Sequence, residues 1–245
     1  MINVKNNYEK YKNCSWNKES YSSLVDYLKS SAEEEYRKFQ SNLIPNIDNL
    51  LGIRIPVLRN IAKYISKGDW REYFKFCRDD YYEEIMLQGL VLNDIKTDFE
   101  EIFKYMDIFI AKIDNWAVCD TFCCGMKIVK KNREVFFPYI QALLLSDKEF
   151  YIRTGLILIL AHYIDDEYID KILEISDSIC QEVYYVRMAN AWLISSCFSK
   201  YRDKIMNFIQ NNHLDDWTHN KAIQKIIESK TTLSEEKEIL KRLKR

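Results

Sequence analysis

The hydrophobic pattern of the chain changes character at about residue 80. Residues 1–18 show little periodicity, which predicts a loosely ordered N-terminal lead-in. Apolar residues at positions 24, 27, 28, 36 and 39 then recur at helical spacing and predict one or two helices. The stretch LIPNIDNLLGIRIP, residues 43–56, holds the only dense group of helix breakers, so it predicts a loop that ends where Pro56 opens the next helix.

A repeat becomes visible from residue 80 onward. When the chain is aligned with itself at a shift of 34 residues, four aromatic residues fall in register, namely Tyr82, Trp116, Phe150 and Tyr184. Each begins a strongly apolar segment, and a more amphipathic helix is predicted after each, at residues 99–113, 133–145, 167–179 and 201–212. A last pair, residues 217–229 and 233–244, has a polar outer helix that is typical of a terminal cap.

A period in the thirties made of helix pairs is typical of an α-solenoid. We therefore predict an all-α fold, an α-α superhelix of HEAT-like repeats in one domain over residues 19–245. In such a fold the first helices of successive repeats line a concave binding face.

Composition agrees with a nearly all-helical protein, because only 5 Gly and 3 Pro occur among 245 residues. The seven cysteines are irregularly spaced and predict small buried side chains in a reducing compartment rather than a metal site, and no cofactor is expected.

The chain has no long apolar run and its N-terminus lacks the apolar core of a signal peptide, so we expect a cytoplasmic monomer with no membrane contact. The net charge of −1 argues against a generally basic nucleic-acid binder.

Four side chains form the candidate site. Trp116 and Asp120 are four residues apart, so a helix places indole and carboxylate on one face. Arg153 lies in the next first helix and Trp192 in the one after, which predicts that the four converge on neighbouring rungs. Indoles attract cations, a carboxylate orients water, and a guanidinium binds phosphate, so this set suits a cationic nucleoside on a phosphate backbone.

Each candidate also has a structural alternative. The indoles of Trp116 and Trp192 could be packing residues, and Asp120 could accept from backbone N–H groups in the first turn of its own helix. Two arginines in equivalent repeat positions could form a ladder with acids, the arginines being Arg153 and Arg187 and the acids Asp147 or Glu182. The basic run Lys127, Lys130, Lys131 and Arg133 could be a solvated helix end.

Several stretches resemble the AlkD-type DNA alkylation repair proteins, which are HEAT-like-repeat DNA glycosylases. The resemblance runs from about Tyr21 to the C-terminus, through LLGIRIPVLRNIAK, DYYEEIMLQGLV, KIDNWAVCDTF, SDKEFYIR, YYVRMANAWLIS and NNHLDDWTHNKAIQKI. It maps the family's active-site Trp, Asp, Arg and second Trp onto Trp116, Asp120, Arg153 and Trp192.

The resemblance implies an enzyme that hydrolyses the N-glycosidic bond of cationic N3- or N7-alkylated purines in double-stranded DNA, without base flipping. Its expected DNA contacts are Arg153, Arg187, Lys127, Lys130, Lys131 and Lys221. Two alternatives stay open: a non-catalytic DNA-structure-binding protein on the same scaffold, and a solenoid that binds a protein instead of DNA.

Overall fold

The computed structural model describes residues 8–245, in which every regular element is a helix. Several helices begin at a polar residue whose side chain accepts a hydrogen bond from the backbone N–H three residues later, which satisfies a donor that the first turn leaves unpaired. These N-cap residues are Asn17, Asp69, Asp98, Asn115 and Asp215.

The chain forms two compact units that divide between Met126 and Lys127. The first contains a 3-10 helix, Glu9–Tyr11, and seven α-helices: α1 Lys18–Ser30, α2 Glu34–Leu43, α3 Ile55–Ile65, α4 Trp70–Phe76, α5 Tyr82–Asp94, α6 Phe99–Ile110 and α7 Trp116–Gly125. The second contains α8 Lys127–Lys131, α9 Arg133–Leu144, α10 Glu149–His162, α11 Ile169–Ser178, α12 Tyr184–Phe198, α13 Arg202–Gln210, α14 Asp216–Glu228 and α15 Ser234–Arg242.

Inside each unit, the first helices of successive pairs pack on one another. In the first unit α5 lies between α3 and α7, and in the second α12 lies between α10 and α14. Because α5 has a neighbouring helix on two sides, apolar residues lie on nearly every face of it, and every residue from Tyr82 to Leu92 is buried. The all-α HEAT-like-repeat prediction is confirmed, and the 34-residue register holds: α5, α7 and α12 begin at its aromatic residues, while Phe150 is the second residue of α10.

The loop before α3 is held by a buried carboxylate. Glu83 Oε1 accepts from the backbone N–H groups of Gly52 at 2.7 Å and Ile53 at 3.1 Å, and Glu83 Oε2 accepts from that of Leu51 at 2.9 Å. Gly52 has φ +90°, in the region that favours glycine. The breaker-rich stretch therefore lies in one defined conformation against the start of α5.

The segment just before α1 packs more closely than its weak periodicity predicts. Tyr8, Tyr11 and Trp16 are buried, and the Trp16 ring packs edge-on to Tyr73 of α4 with centroids 5.1 Å apart. Large aromatic side chains supply enough apolar area to fix a segment that has no helical repeat. Of the predicted loose lead-in, residues 8–18 are thus attached to the first unit, and residues 1–7 lie outside the described part of the chain.

Candidate functional site

The start of α7 is built around Asn115. Asn115 is buried, and its side chain caps the helix by accepting from the Val118 N–H at 3.0 Å. Trp116 is then the first helical residue and Asp120 the fifth, one turn further on. The Asn115 side chain thus satisfies one backbone N–H group of the first turn, that of Val118.

The Trp116 indole is oriented by one hydrogen bond. Its N–H donates to the backbone carbonyl of Leu43, the last residue of α2, across 3.2 Å. The ring is only partly buried. Trp116 thus packs against α2 and still presents surface to solvent.

Trp116 and Asp120 line the same cleft in the first unit. The cleft has a volume of about 200 Å³ and is walled mainly by apolar and aromatic side chains, with Asp120 its only acidic residue. Its lining residues are Tyr36, Phe39, Gln40, Leu43, Ile44, Ile55, Tyr82, Trp116, Ala117, Asp120 and Thr121. We call it the Asp120 cleft. A carboxylate beside aromatic faces is an environment that favours a cationic ligand.

Two cysteines of α7, Cys123 and Cys124, lie close enough to this carboxylate to feel its charge. Burial raises the pKa of Cys123 well above its ordinary value, and the negative charge of Asp120 acts in the same direction. Burial and then Asp120 also raise the pKa of Cys124, although the nearby Arg59 opposes them. A thiolate is the nucleophilic and metal-binding form, so these side chains are poorly suited to either task. Within residues 8–245, no cluster of three or more His, Cys, Asp or Glu side chains could hold a metal ion.

Arg153 and Trp192 belong to the second unit. Arg153 is buried in α10; its Nη1 donates to the Tyr185 carbonyl at 2.9 Å, and its guanidinium carbon lies 5.7 Å from the Tyr185 ring centroid. Trp192 is partly buried in α12 and lines a polar cleft of about 360 Å³. The guanidinium is therefore held in place by the start of α12, while the indole borders open space.

Arg187, one of the expected DNA contacts, is engaged by acids. Its Nη2 lies 3.2 Å from a Glu182 carboxylate oxygen and 3.4 Å from one of Asp215, which is also the N-cap of α14. Glu182 was one of the acids proposed for a structural ladder. This geometry supports the structural role for Arg187.

The four expected lysine contacts are placed differently. Lys127, Lys130 and Lys131 lie on the short helix α8, all are exposed, and none has a carboxylate partner among residues 8–245. Their neighbour Arg133 instead pairs with Asp165 and Glu167. Lys221 on α14 lies 5.8 Å from the Trp217 ring centroid and donates to Gln224 at 3.2 Å.

Three residues that line the clefts were not identified as site residues from the sequence. Phe39 and Leu43, on the otherwise polar α2, line the Asp120 cleft and are 60% and 48% exposed. Two apolar residues at i and i+4 on such a helix were the signal that could have identified this wall. Lys225 lines the same polar cleft as Trp192, and no local motif distinguishes it from other helical lysines.

No helix within residues 8–245 has the length and apolar character needed to cross a membrane.

Comparison with known proteins identifies the family. The chain is 31% identical over 100 residues to the mRNA-capping enzyme small subunit of swinepox virus (strain Kasza), covering 41% of this chain and 35% of the viral protein. It is 25% identical over 153 residues to the mRNA-capping enzyme regulatory subunit of monkeypox virus, covering 62% of this chain and 50% of that protein. The matches thus span about a third to a half of the length of these curated relatives. A family profile described as DNA alkylation repair enzyme matches residues 24–226. The chain belongs to this family of DNA alkylation repair enzymes.

Proposed function

We propose that the protein is a DNA glycosylase that hydrolyses the N-glycosidic bond of N3- or N7-alkylated purines in double-stranded DNA. The observation that carries the proposal is the position of Asp120, the one acidic side chain in a cleft otherwise lined mainly by apolar and aromatic groups. The membership of the chain in a DNA alkylation repair family supports the substrate class.

The chemistry needs little from the protein besides electrostatics. An alkylated purine carries a positive charge, so when the bond between C1′ and the base nitrogen breaks, the electron pair neutralises the base as it leaves. The deoxyribose becomes an oxocarbenium-like cation, which a nearby carboxylate stabilises. Water then adds to C1′ and gives its proton to that carboxylate, leaving an abasic nucleotide. Asp120 supplies the carboxylate in this scheme.

The remaining residues are proposed to bind the DNA. Ring faces attract cations, so Trp116 in the first unit and Trp192 in the second are each proposed to contact the DNA, and the Arg153 guanidinium to contact a phosphate. The exposed ammonium groups of Lys127, Lys130 and Lys131 contribute non-specific backbone attraction. No cofactor takes part, and the base is released without being flipped into a pocket.

The proposal is tested by incubating the protein with a duplex that carries one 7-methylguanine and following release of the free base against a buffer control. Release above that control from the alkylated duplex, and none from an unmodified duplex of the same sequence, is expected. A folded preparation that releases no base would sink the proposal.

One observation favours an alternative on the same scaffold. The exposed Phe39 and Leu43 give the Asp120 cleft an apolar rim, which suits a protein partner. A binding assay run beside the glycosylase assay separates the cases. Binding of DNA without base release would indicate a non-catalytic DNA-binding protein, and no DNA complex even at low salt would favour a protein-binding role.

A further inference from the structure

The second unit contains a polar cleft that the proposed chemistry does not use. It has a volume of about 360 Å³ and lies between α12 and α14, which pack side by side. One wall is a single face of α12, with Trp192 followed at positions i+3, i+4 and i+7 by three serines; the other comes from α14 and its C-cap. The lining residues are Trp192, Ser195, Ser196, Ser199, Lys225, Glu228 and Ser229. We call this the serine cleft.

Lys225 supplies the positive charge of the serine cleft. Burial lowers the pKa of the Lys225 ammonium, and Lys221 and Arg153 are close enough to lower it further, against the opposing effect of Glu228. Lys225 has no carboxylate within ion-pair distance among residues 8–245. Glu228, the one acid of the cleft, accepts from the Gln224 side chain at 2.8 Å. Lys225 thus places an ammonium group in the cleft, and the one carboxylate that lines it, that of Glu228, is already hydrogen-bonded.

The hydroxyl groups can turn toward a ligand at small cost. Ser195 and Ser199 donate back to carbonyls of their own helix, those of Trp192 at 2.9 Å and Ser196 at 2.8 Å. A serine hydroxyl that makes such a local bond can rotate to donate elsewhere. The Ser196 hydroxyl makes no hydrogen bond within residues 8–245. Hydroxyl and ammonium donors are among the groups that proteins use to contact the phosphate and sugar oxygens of DNA.

We propose that the serine cleft binds a phosphodiester of the DNA backbone beside the nucleotide that Trp192 contacts. Lys225 supplies the electrostatic anchor and the Ser196 hydroxyl donates to a phosphate oxygen. This inference rests on the proposed function for the identity of the ligand as DNA, and it adds a binding subsite that the sequence did not indicate. A free phosphate ion would be attracted by the same groups, so the experiment separates the two sources.

The test measures binding of an unmodified duplex by fluorescence anisotropy over a range of salt concentrations, with Lys225→Gln and Ser196→Ala variants. Removing a phosphate contact should weaken binding and lower the slope of log affinity against log salt by about one for Lys225→Gln. Ser196→Ala, which removes no charge, should weaken binding and leave the slope unchanged. The matched control is Lys230→Gln, an exposed lysine just beyond α14, which should bind as the unaltered protein does.

The outcomes separate this inference from the proposed function. Loss of duplex affinity in both cleft variants supports phosphodiester binding in the serine cleft even when no base is released, since the binding assay uses unmodified DNA. Base release together with unchanged duplex binding by Lys225→Gln contradicts phosphodiester binding in the serine cleft and leaves the glycosylase proposal standing. A rise in thermal stability with inorganic phosphate that Lys225→Gln abolishes, without any change in duplex affinity, also overturns it and assigns the cleft to free phosphate. Melting curves without ligand identify any variant that fails to fold.

Discussion

Single side chains fix the geometry of the first unit around the Asp120 cleft. The Asn115 cap sets the start of α7, and the hydrogen bond from Trp116 to Leu43 sets the orientation of the indole. The sequence predicted that Trp116 and Asp120 share a helix face, because the spacing alone determines it. It could not predict Leu43 as the partner of the indole, because the two residues are 73 positions apart in the sequence.

Among the polar residues of this unit, we expect substitution of Glu83 to lower the free energy of unfolding most. Glu83→Ala leaves the buried N–H groups of the loop at Gly52 without acceptors, and we predict a loss of about 3–5 kcal/mol in the free energy of unfolding. Glu83→Gln keeps one acceptor oxygen and should cost less. Urea denaturation of both variants measures the difference, and a loss below about 1 kcal/mol for the alanine variant would contradict the role of the carboxylate.

His219 in α14 makes stability dependent on pH. Burial lowers its pKa from the ordinary value of 6.5, and the charge of Arg245 acts in the same direction. The hydrogen bond between its Nε2 and the Leu243 carbonyl, 2.8 Å away, and the charge of Asp216 oppose this lowering of the pKa. The folded state then binds fewer protons than the unfolded state, so stability is full above about pH 6.5 and falls as pH drops below it. Denaturation between pH 5 and 8 should show this slope in the unaltered protein and a smaller one in His219→Gln. Equal slopes in the two proteins would show that groups other than His219 control the loss of stability at low pH.

At the scale of elements, the sequence predicted most helices of the repeats because each pairs an apolar first helix with an amphipathic second one. It missed α4, because a helix of seven residues has too few turns to show a period. It also predicted one apolar segment from Trp116 to Val129, whereas α7 ends at Gly125 and the five-residue α8 begins at Lys127. It also missed the packing of residues 8–17, which depends on aromatic contacts rather than on repetition. The cleft walls were found only in part, since α2 precedes the region in which the repeat is visible.

A substitution at Gly52 tests whether the conformation of the loop between α2 and α3 is constrained. An added Cβ would lie 2.6 Å from the Arg37 Cβ and 2.8 Å from the Glu33 carbonyl oxygen, at a φ of +90°. We predict that Gly52→Ala lowers the free energy of unfolding by about 2 kcal/mol or more.

The matched control is Gly155→Ala in α10. Its added Cβ meets the movable Leu144 side chain at 2.9 Å, and helix propensity favours alanine there, so its effect should be small. Chemical denaturation of the two variants makes the comparison. A Gly52 variant no less stable than the Gly155 variant would show that the loop conformation is not constrained.

At the scale of the whole molecule, the family and the all-helical repeat fold followed from the sequence, while the accessibility of each cation did not. The net charge of −1 means that attraction to DNA depends on where unpaired cations lie. Arg133 and Arg187 are neutralised by acids, whereas the lysines of α8 are not. The sequence indicated Glu182 as a possible partner of Arg187, but it could not indicate Asp165, Glu167 and Asp215, which lie about 30 residues away from the arginines that they pair with.

The α8 lysines should therefore dominate non-specific affinity. Replacing Lys127, Lys130 and Lys131 together by Gln should weaken duplex binding and lower the slope of log affinity against log salt by up to about three. The control replaces three exposed lysines of the first unit, Lys12, Lys18 and Lys96. Anisotropy titrations compare the two triple variants, and equal effects would show that only total charge matters.

The central claim is that the Asp120 carboxylate performs the chemistry, and one comparison tests it most directly. Asp120→Asn removes the charge at nearly constant volume, while Asp26→Asn makes the same change at an exposed position on α1. Release of 7-methylguanine is measured under single-turnover conditions at saturating enzyme, with melting temperature as the check on folding. We predict that Asp120→Asn lowers the rate by about 10²-fold or more and that Asp26→Asn matches the unaltered protein. Equal rates for the unaltered protein and a folded Asp120→Asn variant would contradict the claim.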